Sequence, residues 1–320
     1  MRKARTQDGR IARRKSKLLI GLVVVVSSIA VLSLATVFAF RFIWDKFYSE
    51  DSPALMYDYW SNGEIEKVYE LSGKILQKNI FHGPALTLRG YSAFKLALSG
   101  INDNNESQSY LDEAVNKLRI AIQTSDGKAQ GQTYYALALA YFYRDKLSSY
   151  YYYSDLVIKY LLEARQRDYR SDDISELLGI CYSELGETAK SIEAFSEALL
   201  VHETDGLLYN IAKEYYAMSE RSVAKQYLAR VILTSNDDEV KINSRNLLGK
   251  IYIEEGNYDA AQKEFEAILE KNVNFADAHY GLGILYEKQG DNAKARAEWR
   301  KCLKLQVKHA GALQKLSEIK

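Results

Sequence analysis

The feature that most constrains this chain is a self-similarity at a spacing of 34 residues, clearest in the stretch 276–309, ADAHYGLGILYEKQGDNAKARAEWRKCLKLQVKH. Leu282, Gly283 and Tyr286 fall on one face of a first helix, Gly290 breaks it, and Ala295, Trp299 and Cys302 recur at helical spacing on a second. Sliding back by one period, from 282 to 248, places Leu248, Gly249, Tyr252, Gly256, Ala261 and Phe265 on the corresponding positions. Gly283, Ala295 and Cys302 let two helix backbones approach closely, while Tyr286 and Trp299 fill the space beside them. A hairpin of this kind cannot bury its apolar face alone. It needs stacked neighbours, so the core of such a chain is a stripe rather than a ball.

Neighbours are present upstream. The unit 172–204 carries Leu178, Gly179, Tyr182, Gly186, Phe195 and Ala198; the unit 205–241 carries Ile211, Ala212, Tyr215, Ala224 and Leu228, with Ser219 where a turn glycine would stand. Weaker copies span 49–82 (Met56, Tyr59, Gly63, Val68), 83–130 (Gly90, Ala114, Leu118) and 131–171 (Leu137, Ala138, Tyr141, Leu161, Ala164). The polar run 99–109 and the stretch 148–153 read as enlarged loops inside their hairpins. Leu313, Leu316 and Ile319 give 310–320 the spacing of a short capping helix.

The recurring order of small residue, aromatic, turn glycine, small residue and aromatic resembles the tetratricopeptide repeat (TPR). The resemblance covers 45–309 as about seven units, the last two (242–275 and 276–309) in strict register, and is clearest towards the C-terminus. It implies an all-α fold, a superhelical solenoid of helical hairpins.

Ahead of the repeats, Leu18–Phe40 is an uncharged apolar run of 23 residues, about 35 Å long as a helix, which suffices for a bilayer core. A single transmembrane helix is therefore expected over 18–44, preceded by a basic cytoplasmic tail, 1–17. The run is longer than the apolar region of a cleaved signal peptide, and no cysteine follows it. Eight Lys or Arg precede the run, and only Arg41 and Lys46 follow closely, so the N-terminus should be cytoplasmic and the repeats on the opposite face. In a bacterium that is the periplasmic side of the inner membrane; in a eukaryotic secretory membrane it is the lumen.

The net charge of +1 conceals a division. Removing the eight basic tail residues, Arg41 and Asp8 from totals of 43 and 42 leaves 34 basic and 41 acidic residues in 42–320, which argues against a nucleic-acid surface. The four histidines are scattered without metal-ligand spacing, and no phosphate loop, HExxH or GxSxG is present. No enzyme, cofactor or metal is expected. Cys181 and Cys302 sit in different repeats and read as packing residues rather than a disulfide. The acidic pairs Asp172–Asp173 and Asp237–Asp238 read as helix starts.

Function is thus left to a binding face. In the family this chain resembles, the concave side is lined by first-helix residues at the second, fifth, ninth, twelfth and thirteenth repeat positions. Carried over, the rule gives Tyr57, Trp60, Tyr91, Phe94, Tyr135, Phe142 and Tyr143 from the first three units, then Tyr209, Lys213, Tyr216, Asn246, Lys250 and Tyr280. Aromatic side chains supply large contact area at low entropic cost, as a peptide or helix groove requires. The tyrosines at 150–153 offer a second contact surface. The carboxylate clamp of chaperone-tail binders is missing: the ninth positions are Tyr57, Tyr91, Leu139, Ile180, Lys213, Lys250 and Ile284, with no Asn among them.

The resulting expectation is a non-enzymatic, membrane-anchored scaffold that binds other proteins and helps assemble an envelope complex on the periplasmic face, such as the collar of a periplasmic flagellar motor. A translocon-associated chaperone partner, or an accessory protein that binds cell-wall polysaccharide or assists its synthesis, are the alternatives. The bilayer is a partner through 18–44, nucleic acid is not, and self-association is a further option.

Overall fold

The computed structural model describes residues 31–42, 52–99, 104–147 and 152–318, and all regular structure among them is helical. The chain divides into two compact units, residues 1–149 and 150–320. The boundary falls inside the predicted third repeat, 131–171.

The first unit contains α1 (Pro53–Ser61), α2 (Ile65–Lys78), α3 (Gly83–Ser99), α4 (Asn104–Ala121) and α5 (Gly127–Leu147). Each helix packs on the next, and α3 also touches α5. Ser52 starts α1, its hydroxyl accepting from the Leu55 N–H at 3.1 Å with Pro53 at the first helical position. The buried seam runs through Met56, Val68, Leu71, Ile75, Ala85 and Leu86. The enlarged loop predicted over 99–109 is shorter than expected. Asn104 to Ser109 already belong to α4, where Ser107 is buried and donates to the Ala97 carbonyl at 3.0 Å, so polar composition concealed a packed turn of helix.

On the outer side of this unit Arg89 lies over the Tyr69 ring, 3.3 Å from its centroid, and its Nε donates to Glu113 Oε1 at 2.7 Å. The Tyr69 hydroxyl donates to the other carboxylate oxygen, and Arg89 Nη1 donates to the Tyr69 carbonyl, tying α2, α3 and α4 together. Burial alone would raise the Glu113 carboxyl, but the hydrogen bonds from Arg89 and Tyr69 and the guanidinium charge outweigh it and hold the group below 4.5. A carboxyl with a lowered folded pKa adds stability above its unfolded pKa and loses it as pH falls through the folded value. Glu113→Gln is therefore expected to cost about 1–2 kcal/mol at pH 7 and progressively less as pH falls below 4.5. Urea titrations of both proteins at pH 7 and pH 3.5 test this; an equal loss at the two values would show that the carboxylate charge is not what matters.

Of the predicted span 18–44, only 31–42 falls within the described residues. That segment is helical, and its Val31, Leu32, Leu34, Val37, Phe38, Phe40 and Phe42 are each more than half exposed. No helix among the described residues is long and apolar enough to cross a membrane. The basic tail and the remainder of the span lie outside them.

The second unit contains α6 (Ser154–Gln166), α7 (Ile174–Glu184), α8 (Thr188–Leu199), α9 (Asp205–Ala217), α10 (Arg221–Thr234), α11 (Asp238–Glu254), α12 (Tyr258–Lys271), α13 (Ala276–Lys288), α14 (Asn292–Leu305) and α15 (Ala310–Glu318). Successive helices pack on one another, and α7, α9, α11 and α13 also touch in sequence, forming one layer of first helices backed by a layer of second helices. The Asp237 carboxylate caps α11 by accepting from the Glu239 and Val240 N–H groups. In the hairpins α7–α8, α11–α12 and α13–α14 a first-helix glycine meets a second-helix aromatic, whereas α9–α10 pairs Ala212 with Leu228. An added Cβ at Gly179 would stand 2.4 Å from Phe195, and at Gly283 2.2 Å from the Trp299 indole. Cys181 and Cys302 are both buried and neither is in a disulfide, and burial pushes the Cys302 thiol up to about 11.

Gly63, Gly186, Gly256 and Gly290 take positive φ at the turns between paired helices, and Ser219 takes φ 65° at the same place in its own hairpin. A left-handed non-glycine residue costs about 1–2 kcal/mol, while glycine loses roughly 0.5–1 kcal/mol more backbone entropy on folding. Ser219→Gly is expected to raise stability by roughly 0.5–1 kcal/mol, read as a higher urea midpoint with an unchanged slope.

Candidate functional site

The candidate site of the first unit is a groove of about 430 Å³ between α1, α3 and α5. Tyr57, Trp60 and Tyr91, three of the residues predicted from repeat position, line it together. The rings of Trp60 and Tyr91 lie 5.8 Å apart, tilted by 44°, and the Tyr91 hydroxyl donates to the Gln132 carbonyl at 2.9 Å, fixing that ring across the groove floor from α3 to α5. Tyr57 is half exposed. Gly83 opens the groove at its end, where an added Cβ would meet Thr124 at 2.8 Å. Thr87, Leu88, Thr124, Ser125, Asp126, Gln132 and Thr133 complete the wall.

Phe94 does not line the groove. It is 5% exposed, covered by the Tyr143 ring at 5.7 Å, and works as core; this corrects the expectation that it faces a ligand. Phe142 and Tyr143 stand edge to face at 5.7 Å near the end of α5, and Tyr135 is half-buried on the same helix. None of the three lines the groove. Of the 150–153 tyrosines, Tyr150 and Tyr151 lie outside the described residues, Tyr152 is largely exposed, and Tyr153 immediately precedes α6.

In the second unit Tyr216, Lys250 and Tyr280, from α9, α11 and α13, converge on a smaller hollow of about 220 Å³ with Ile253, Glu254 and Ile284. The Tyr216 hydroxyl donates to Glu254, and burial, followed by that hydrogen bond, pushes its phenol up to about 12. Arg221 closes the group through a 2.7 Å contact with the same carboxylate. Further along this layer Tyr209, under the Lys213 ammonium at 5.9 Å, is raised first by burial and then by the charge of Asp277. The Asp277 carboxylate meets His309 Nε2 at 3.0 Å, and the His309 ring lies 4.7 Å from Tyr280. His309 Nδ1 accepts from the Ala312 N–H at 3.1 Å, so this histidine starts α15 as well as holding it to α13. Asn246 is buried at 7% exposure, its side-chain oxygen without a hydrogen-bond partner, so it is not an open contact residue.

Sequence reasoning passed over Thr87 and Gln132, which line the first groove, although they occupy the fifth and second positions of their units. The same positional rule contained them, and a preference for aromatic residues hid them. Asp126 had no such signal, since it precedes α5 in a connecting turn. Among the described residues no group of three His, Cys, Asp or Glu is placed to hold a metal ion. Both grooves offer ring faces, hydroxyls and a few charges, an arrangement suited to binding.

Residues 246–301 match the family model of the tetratricopeptide repeat. The CTR9 homolog of Arabidopsis thaliana is 27% identical over 134 residues, which are 40% of this chain and 12% of that protein. Among solved structures, a tetratricopeptide repeat protein from Parabacteroides merdae superposes with a TM-score of 0.57 at 17% identity, over 72% of this chain and 86% of that one. The APC/C hetero-tetramer Cut9–Hcn1 gives 0.53 at 17% identity, over 91% of this chain and 52% of that chain. At these identities the likeness is one of fold: helical hairpins stacked in the tetratricopeptide manner.

Proposed function

We propose that this chain, an all-α array of hairpins of the tetratricopeptide type, is a non-enzymatic scaffold that binds other proteins along its first-helix faces. The observation that carries the reading is the gathering of Tyr57, Trp60 and Tyr91, from two successive repeats, on one open groove of about 430 Å³. Ring faces left half exposed in this way are what a peptide or helix from a partner covers.

The scaffold is anchored in a membrane through 18–44, with its repeats on the periplasmic side of a bacterial inner membrane. Two observations support this. The described part of the segment exposes Val31, Leu32, Leu34, Val37, Phe38, Phe40 and Phe42, and eight Lys or Arg lie ahead of it in 1–17. In that place the protein serves assembly of an envelope complex, such as the collar of a periplasmic flagellar motor.

A photocrosslinking amino acid at Tyr57 or Tyr216, followed by purification from cells, tests the binding role. Protein adducts from both positions are expected, and motor subunits among them would support the collar, whereas translocon components would move the role to a chaperone partner. Absence of any protein adduct at either position would remove the scaffold reading. Protease added to spheroplasts should digest the repeats, and resistance would reverse the topology.

A further inference from the structure

We infer that the groove between α1, α3 and α5 takes a cationic side chain, the guanidinium of an arginine or the ammonium of a lysine, from a partner protein. The inference rests on the reading of the first-helix face as a protein-binding surface and adds the chemistry of what enters it.

The threonine and serine hydroxyls of the wall, with that of Tyr91, have spent their protons. Thr87 donates to the Gly83 carbonyl at 3.1 Å, Thr124 and Ser125 to the Ala121 carbonyl at 2.9 and 3.1 Å, and Thr133 to the Ala129 carbonyl at 3.0 Å. Tyr91 donates to the Gln132 carbonyl. An oxygen committed in this way can accept another hydrogen bond but has no proton left to give. The groove is thus rich in acceptors, with the Tyr57 hydroxyl, the Trp60 indole N–H and the Gln132 amide as its side-chain donors, so a ligand that brings several donors fits it best.

Charge points the same way. Asp126 is the one charged residue among those lining the groove, and no Lys or Arg lines it. The Tyr57, Trp60 and Tyr91 rings add the negative potential of their faces, which attracts a cation most strongly at tryptophan. Guanidinium and ammonium groups supply five and three donors with a positive charge. A neutral sugar would stack on the same rings but would bring no positive charge to Asp126. A proline-rich segment would find the rings and have no use for Asp126. The hollow of the second unit differs, because Lys250 lines it and its Glu254 carboxylate is already held by Tyr216 and Arg221.

The test uses the full-length protein in detergent and blocked, fluorescein-labelled octapeptides, Gly-Ser-Arg-Ser-Gly-Arg-Ser-Gly and versions with citrulline or glutamate in place of both arginines. Anisotropy titration at low salt should show binding of the arginine peptide, at least about tenfold weaker binding of the citrulline peptide, and none of the glutamate peptide. Asp126→Asn, an exposed turn position, should weaken the arginine peptide about tenfold. Trp60→Ala should do the same, and Lys263→Ala, an exposed position on α12 that lines neither groove, should leave binding unchanged. Equal affinity for the arginine and citrulline peptides, indifference to Asp126→Asn, or failure of the arginine peptide to bind would overturn the inference. A proline-rich peptide or an oligosaccharide that binds in place of the arginine peptide, with loss in Trp60→Ala, would reassign the groove to that ligand. The scaffold reading stands or falls separately, on the crosslinks from Tyr57 and Tyr216.

Discussion

Phe265→Ala is expected to lower the stability of the second unit by about 3–5 kcal/mol and to detach its last hairpin from the rest. Phe265 is fully buried, and its ring serves two contacts at once. An added Cβ at Gly249, the partner glycine in its own hairpin, would stand 2.7 Å from the ring, and one at Gly281, on the first helix of the next repeat, 2.4 Å from it. The same ring therefore closes one hairpin and fastens it to its neighbour, with Ile253, Ile268, Ala278, Leu282 and Leu285 around it. Truncation opens a cavity at the junction of α12 with α11 and α13 that no neighbouring backbone can collapse into without breaking helix contacts. In an array whose cooperativity passes from one repeat to the next, a lost interface should separate the transition as well as weaken it. Hydrogen exchange over 276–318 is expected to quicken more than exchange over 205–234. A uniform change across the unit would show that Phe265 contributes bulk stability without coupling the repeats.

That contact was legible in the sequence because glycine and aromatic recur one period apart. Gly249 and Phe265, like Gly283 and Trp299, can keep their spacing only if small and large residues meet across two helices. The helical pairing, the turn glycines and Ser219 as their replacement followed from the same periodicity. The groove was legible in part. Repeat position identified Tyr57, Trp60 and Tyr91, because position within a unit sets which face a first-helix residue occupies.

Position did not determine how much of that face stays open. Phe94 and Asn246 occupy the correct positions and are buried, Phe94 under the Tyr143 ring from another repeat, a contact that position within one repeat does not encode. The Arg89–Tyr69–Glu113 link was invisible for a related reason. Its members come from three helices, 20 to 44 residues apart, with no regular spacing. The residues that build the fold and those proposed to bind are thus largely separate here. Substitutions at Phe265 or Trp299 should act on stability, and Asp126→Asn on binding alone.

Trp299→Ala is expected to cost about 3–5 kcal/mol, and the sign of a second substitution, Gly283→Ala, should depend on it. Trp299 is fully buried against Ala295, Cys302 and Ala312, with its indole N–H facing Gly283 and lacking a hydrogen-bond partner. In the natural protein a methyl group at Gly283 would stand 2.2 Å from the indole nitrogen, far inside the contact distance of non-bonded heavy atoms, so Gly283→Ala should cost about 1–3 kcal/mol through displaced packing. With the indole removed the same methyl group enters a cavity. It then gains the better helix propensity of alanine over glycine, about 1 kcal/mol, and fills part of the void. Gly283→Ala should therefore destabilise the natural protein and stabilise Trp299→Ala. Urea denaturation of the two single variants and the double variant measures the coupling, expected at about 2–4 kcal/mol. Additive losses would mean that the glycine is kept for backbone freedom, which φ does not require at this helical position, rather than for the approach of the tryptophan.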